Sequence, residues 1–343
     1  MTPLVVRALR REPVERTPVW YMRQAGRCLA EYRALRERYG ILEMARTPDL
    51  CARVTEMPVA RLGVDAAVLY ADIMLPLDGM GVPFHIEPEL GPIVERPLRD
   101  RAAVEALRVI TAEEATPYLF ETIRALRRSL PPDVALIGFC GAPFTLASYL
   151  IEGRPSRDHA RTKAMMFGEP ELWARLMEVL VEVLSRYLSA QIDAGVDVVQ
   201  VFDSWAGALG TEDYESAVLP HTRRLFRRVG GRVPRIHFLT GNPALLPFAA
   251  SVECEAVSVD WRVPLDEAWR ALGDRAIQGN LDPAVCLAPW EIVAARAEDV
   301  LRRAGGRPGH VFNLGHGVLP GTEADTLARI ADLVHAGRVA VPA

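Results

Sequence analysis

The sequence predicts an α/β protein, a (β/α)8 barrel with a helical N-terminal extension over residues 1–60. Three observations predict it. Continuous apolar runs recur seven times, each ending in polar residues, most with a glycine close by. Runs of that kind suit strands buried on both faces of a parallel sheet. Helical patterns separate most of them, and the G-x-G-x-x-G turn that announces a doubly wound open sheet is absent.

In chain order, a helical pattern over Thr47 to Leu62 leads into the first run, 64–72 (V-D-A-A-V-L-Y-A-D). The pattern is weak between Val82 and Val109, and the eighth strand is expected there. Thr111-x-x-Glu114 reads as a capping box that opens a helix reaching Leu130. The second run, 134–143, precedes the long amphipathic stretch Pro170 to Ala194, which Gly195 closes at a C′ position. The third run is 196–204, followed by a helical pattern over Tyr214 to Arg228. Runs at 235–241, 256–261 and 276–282 come next, then a helix over Glu291 to Ala304, the last run at 310–317 and a closing helix over Glu323 to His335. The length would allow two domains at about 150 residues each, but single barrels reach this size. No repeat or shift in composition marks a boundary, so residues 1–343 are expected to form a single catalytic domain.

Composition excludes several function classes. No stretch of about 20 apolar residues offers a membrane span. The N-terminus lacks a signal-peptide layout, and a formal charge of −4 argues against a nucleic-acid surface. Five scattered cysteines without C-x-x-C suit free thiols in a reducing cytoplasm. Lys163 is the single lysine; the other basic residues are arginine. A P-loop therefore lacks its lysine, and Schiff-base chemistry would rest on one residue in a helix-like stretch. The three asparagines, Asn242, Asn280 and Asn313, all follow strand-like runs. Each alone suits a turn, whereas the set suggests specific hydrogen bonding.

In a barrel the strand C-termini form the mouth. The polar residues placed there are Asp72, Tyr149 a little further on, Asp203, Ser204, His237, Asp260, Asn280, Asp282 and His316. Asp72 ends an apolar run, where a charge is costly unless it has a partner or a task. It is either a cap or ion-pair partner, or a working carboxylate. Arg23 and Arg27 stand four apart in P-V-W-Y-M-R-Q-A-G-R (18–27). Two guanidinium forks suit a substrate with several carboxylates, although Arg27 is also spaced to pair with Glu31. His316, between glycines 315 and 317, suits a tight loop. His237 and His316 lack companions at zinc-ligand spacing. Ser204 lies in F-D-S-W-A-G rather than G-x-S-x-G, so a serine triad is not indicated.

Together these motifs resemble the uroporphyrinogen decarboxylases. The resemblance is carried by 18–27, by Y-A-D-I-M (70–74) and by G-F-C-G-A-P-F-T-L-A-S-Y-L-I-E-G (138–153). F-D-S-W-A-G (202–207), Q-G-N-L-D-P (278–283) and F-N-L-G-H-G (312–317) add to it. It implies a cytoplasmic, homodimeric barrel enzyme that decarboxylates the acetate arms of uroporphyrinogen without cofactor or metal, with no nucleic-acid or membrane partner. Carried over, it implies Arg23, Arg27 and Asp72 as catalytic residues. Gln24, Tyr149, Phe202, Ser204 and His316 join them in binding substrate, with Phe202 as a wall of the cleft, and the 1–60 extension contributes to that cleft. Cobalamin-dependent methyltransferases are similar to this family and form the alternative. They hold zinc with His-x-Cys, where this chain reads His237-Phe238-Leu239. A non-catalytic tetrapyrrole-binding protein is the third reading.

Overall fold

The computed structural model describes residues 2–26, 28–87 and 90–337. Seven parallel strands form one curled sheet: β1 (Ala66–Val68), β4 (Ala135–Gly141), β5 (Val198–Asp203), β6 (Arg235–Leu239), β7 (Ala256–Val259), β8 (Ala276–Gln278) and β9 (His310–Val311). Between β1 and β4 in the chain, β2 (Phe84–Glu87) and β3 (Gly91–Val94) make a separate antiparallel pair. The seven strands of the sheet match the seven apolar runs, and the fold is a (β/α)8 barrel.

The eighth stave corrects the sequence expectation. The stretch between Val82 and Val109 holds the β2–β3 hairpin and a short helix, Arg101–Glu105, none of it in the barrel sheet. The gap is filled from the N-terminus. Phe312 N donates to Pro18 O (2.8 Å) and Trp20 N to Phe312 O (3.3 Å), while Asp65 N donates to Val19 O (2.8 Å) on the other side. Residues 18–20 thus run parallel beside Phe312 and close the sheet against β1. A three-residue stave that begins at a proline has no periodicity by which a sequence pattern could reveal it.

Two predicted helices are each split. The capping box forms: Glu114 N donates to Thr111 Oγ1, and Thr111 N to Glu114 Oε2. Its helix nevertheless stops at Ala115, and a new one, Pro117–Ser129, begins after Thr116. Proline lacks the N–H that would continue the ladder and pushes the preceding residue out of the α region; Thr116 sits at φ −139 and ψ 55. Pro220, lacking its N–H, likewise interrupts the ladder, and the break between Thr211–Ala217 and Leu219–Val229 falls at Val218, at φ −123 and ψ −51. The long helix Pro170–Ala194 forms as read, with Gly195 at φ 118 after its end.

A polar plug ties the stave to the barrel centre. Trp20 Nε1 donates to Gln278 Oε1 (2.9 Å), and Gln278 Nε2 donates to Gln200 Oε1 (3.1 Å) and Ser258 Oγ (2.9 Å). All four residues are buried, so each bond forms in a low dielectric where an unmade one is costly. The helix Leu4–Leu9 packs on β4, β8 and β9, strands that are not all neighbours, and so lies across one end of the barrel. Gly309, which precedes β9, abuts Arg11 just beyond that helix, so the covered end is the strand N-termini. The opposite end stays open as the mouth.

Candidate active site

Arg23 reaches the mouth from a tightly built turn. It takes a left-handed conformation (φ 60) that non-glycine residues rarely adopt. The turn is held from three directions. Met22 N donates to Asn313 Oδ1 (3.1 Å), Val318 N donates to Met22 O (2.9 Å), and Gln24 Nε2 donates to Ala66 O (2.8 Å). The Arg23 stem then lies across Gly317, where a Cβ would fall 2.6 Å from Arg23 Cδ. That contact explains the glycine beside His316. Gln24 is buried, and its Oε1 accepts from Tyr21 N (3.0 Å). Its amide thus serves the turn from behind. Arg27 lies outside the described residues, and Glu31 pairs with Arg61 (3.4 Å).

Asp72 follows β1 and keeps partial exposure at the cleft floor. Its Oδ1 accepts from Met74 N (2.9 Å). Burial pushes the carboxyl above its ordinary value, against the pull of that N–H and of the Arg23 charge. Tyr149, on the helix Pro143–Glu152, feels both groups. Burial first, then the negative charge of Asp72, pushes its phenol up to about 12. Tyr149 is therefore a proton-bearing donor at neutral pH. His316 moves the other way, to about 4, because burial and the nearby Arg23 and Arg262 charges disfavour its cation. In the free protein it is a neutral imidazole at pH 7, a hydrogen-bonding group rather than a resident acid.

One wall of the cleft is aromatic. Phe202, half-buried on β5, meets Phe139 edge-on at 5.3 Å and Phe238 at 5.5 Å, and Phe238 meets His316 at 5.9 Å. Ser204 is partly exposed immediately past β5. Arg23 is thus within electrostatic reach of Asp72, Tyr149 and His316, and Asp72 of Tyr149. The wall of Phe202 ends at His316.

Other residues expected at the mouth are held by protein partners, although Asp260 stays within electrostatic reach of His316. His237 is fully buried, 5.4 Å edge-on to Phe226 on an outer helix and 3.9 Å from Asp203. Successive strand residues face opposite sides, so with Phe238 toward His316, His237 turns away, and the two histidines do not form a ligand pair. Among the described residues no three His, Cys, Asp or Glu side chains are placed to hold a metal ion. Asp203 accepts from Thr145 Oγ1 on that same outer side. Asp260 accepts from Thr240 Oγ1, Gly241 N and Arg262, while Asp282 caps the turn at Ala284 N. The three asparagines are loop pins. Asn280 Nδ2 holds the Asp260 and Val263 carbonyls, Asn242 holds Leu209 O and Ala244 N, and Asn313 holds Met22.

The sequence reading missed Phe238, Trp205 and Arg262. Period-2 alternation beside His237 was a usable signal for Phe238. Trp205 stands inside a motif that was read only for its serine, and it meets Tyr149 edge-on at 5.8 Å. Arg262 lies 4.5 Å over the Trp261 ring and belongs to no motif.

A sequence model described as uroporphyrinogen decarboxylase (URO-D) matches residues 2–337. Curated relatives with that description include one from Thermus thermophilus, 51% identical over 334 residues, covering 96% of this chain and 97% of the relative. One from Sorangium cellulosum is 50% identical over 332 residues, covering 96% and 95%. Among solved structures, a methyltransferase from Methanosarcina mazei superposes with a TM-score of 0.82 at 20% identity, covering 97% of this chain and 98% of that one. At that identity the likeness concerns the fold alone.

Proposed function

The chain belongs to the uroporphyrinogen decarboxylase family, and we propose from that premise how its cleft carries out the reaction. The enzyme is a carboxy-lyase of tetrapyrrole biosynthesis: it converts the four acetate arms of uroporphyrinogen III to methyls, giving coproporphyrinogen III. Decarboxylation needs an electron sink. The pyrrole supplies one when it is protonated at the ring carbon next to the acetate-bearing carbon. The resulting iminium-like cation is neutralised as carbon dioxide leaves, giving an exocyclic methylene. Protonation of that carbon and loss of the proton from the ring carbon give the methyl and restore the pyrrole, so the chemistry calls for no further group.

In this reading Asp72 accepts hydrogen bonds from pyrrole N–H groups and stabilises the cation as it develops. Arg23 and Arg27 bind substrate carboxylates and orient the reacting arm. Tyr149, Ser204 and neutral His316 hydrogen-bond other carboxylates, and Phe202 packs against the macrocycle. Gln24 acts through the Arg23 turn. Arginine is a poor acid because its pKa exceeds about 12, so a protonated water, rather than either guanidinium, delivers the proton.

The observation that carries the reading is a carboxylate kept part-buried beside a phenol and an arginine, with a neutral imidazole within reach of that same arginine. The deciding experiment is anaerobic incubation with uroporphyrinogen III and a mass count of carboxylates in the product. An eight-carboxylate product would refute decarboxylation. Arg27→Ala is expected to raise KM at least about tenfold, the loss of a charge-assisted contact, and wild-type kinetics would remove Arg27 from the clamp. We also propose that residues 1–343 act as a single catalytic domain. Residues 1–60 supply Arg23 and Arg27, and the enzyme works as a cytoplasmic homodimer. A monomeric sedimentation mass would refute the dimer. No helix of the described residues is long and apolar enough to cross a membrane.

A further inference from the structure

Lys163, the chain's single lysine, lies on the helix Ala160–Gly168. Its Nζ donates to Ala208 O at 2.7 Å. Ala208 ends a tight turn, Ala206–Ala208, that follows Ser204 and Trp205. Carbonyls at such an end have no partner within the turn and favour a cation.

The same segment grips this loop a second time. His159, in a left-handed conformation (φ 49), places its ring 5.2 Å from Trp205. Thr162 anchors the helix through N and Oγ1 to Glu152 Oε1 (2.9 and 3.0 Å). From the opposite side, Asn242 Nδ2 holds Leu209 O (3.0 Å). Gly207 lies so close that a Cβ would fall 2.5 Å from Thr240 O. The Ser204 loop is therefore clamped between residues 240–242 and residues 159–163.

An ammonium suits this slot better than a guanidinium. One carbonyl satisfies one of its three rotatable donors, and the half-buried site leaves the others to water. A planar fork of five donors would leave more of them unpaired. In a chain that otherwise uses arginine for every basic position, this geometry gives Lys163 a reason.

We propose that Lys163 is a positioning residue: its ammonium fixes Ala208 and so holds Ser204 where its hydroxyl meets a substrate carboxylate. The inference rests on the carboxylate-binding role given to Ser204 above. The test is a double-mutant cycle on the full-length enzyme. Lys163→Met is expected to raise KM about tenfold, with kcat within about twofold, because Asp72 lies on a different loop, after β1. In a Ser204→Ala background the same change should alter KM less than about twofold, since coupled residues are not additive. A wild-type KM in Lys163→Met overturns the inference. So does an equal rise in both backgrounds while Ser204→Ala itself raises KM, which leaves the Ser204 reading standing. A wild-type KM in Ser204→Ala overturns both.

Discussion

Replacing Asp72 with asparagine is expected to lower kcat at least about a hundredfold while KM changes only a few-fold. The carboxylate's Oδ1 accepts from Met74 N, and an asparagine oxygen can keep that bond. Fold and binding cleft therefore survive. What is lost is a negative charge facing a cation that forms only during reaction. At about 4 Å and an effective dielectric near 20, that pair is worth on the order of 4 kcal/mol, roughly a thousandfold in rate. The hundredfold figure allows for a partial dipole that remains.

A stability measurement separates this role from a structural one. Burial raises the folded carboxyl of Asp72 above its ordinary value, against Met74 N–H and Arg23. A raised carboxyl binds more protons folded than unfolded, so stability falls as pH rises through the window between the two values. The ionised group thus costs stability at neutral pH, the usual sign of a charge kept for function. Asp72→Asn is expected to be at least as stable as the wild type at pH 7, measured by urea midpoint. A near-normal kcat would sink the catalytic role. A loss confined to KM would reassign Asp72 to binding.

Much of this was legible in the sequence because it rests on short-range pattern. The buried strands read as apolar runs, and Asp72 stood out as a charge at the end of one. The Arg23 turn was visible as a motif, but not the reason for its neighbours: Gly317 makes room for the Arg23 stem only in three dimensions. Asp203, Asp260 and Asn280 shared the signature of Asp72, a polar residue after an apolar run. They differ in partners that lie about 20 to 60 residues away in the chain. No local pattern carries that information. The same holds for the missing stave, whose pairing with Phe312 spans almost the whole chain.

Several contacts of that long-range closure converge on Asp65. Its Oδ2 accepts from Val19 N (2.8 Å) and sits 2.8 Å from His335 Nε2, while Oδ1 accepts from Arg16 Nη2 (2.6 Å). One carboxylate, 6% exposed, thus joins the N-terminal stave, β1 and the last helix, Ala324–Ala336. Burial alone would raise this carboxyl, but His335, Val19 N–H and Arg16 together hold it below its ordinary value. A depressed carboxyl contributes stability that is fully present above the unfolded value, about 3.9. That contribution is lost as pH falls through the lower folded value. Asp65→Ala leaves a buried N–H, the Arg16 guanidinium and the His335 imidazole without their shared partner. Breaking a buried pair costs about 3–5 kcal/mol. Arg16 and His335 keep some solvent, so the lower end, about 3 kcal/mol, is expected at neutral pH. That is a large share of the roughly 5–15 kcal/mol that holds a domain together. The loss should be local before it is global: amide exchange should speed first at position 65 and at Phe312, whose N–H groups bond the stave. Unchanged exchange at those two amides, with an unchanged urea midpoint, would show that the barrel does not depend on Asp65 for its closure.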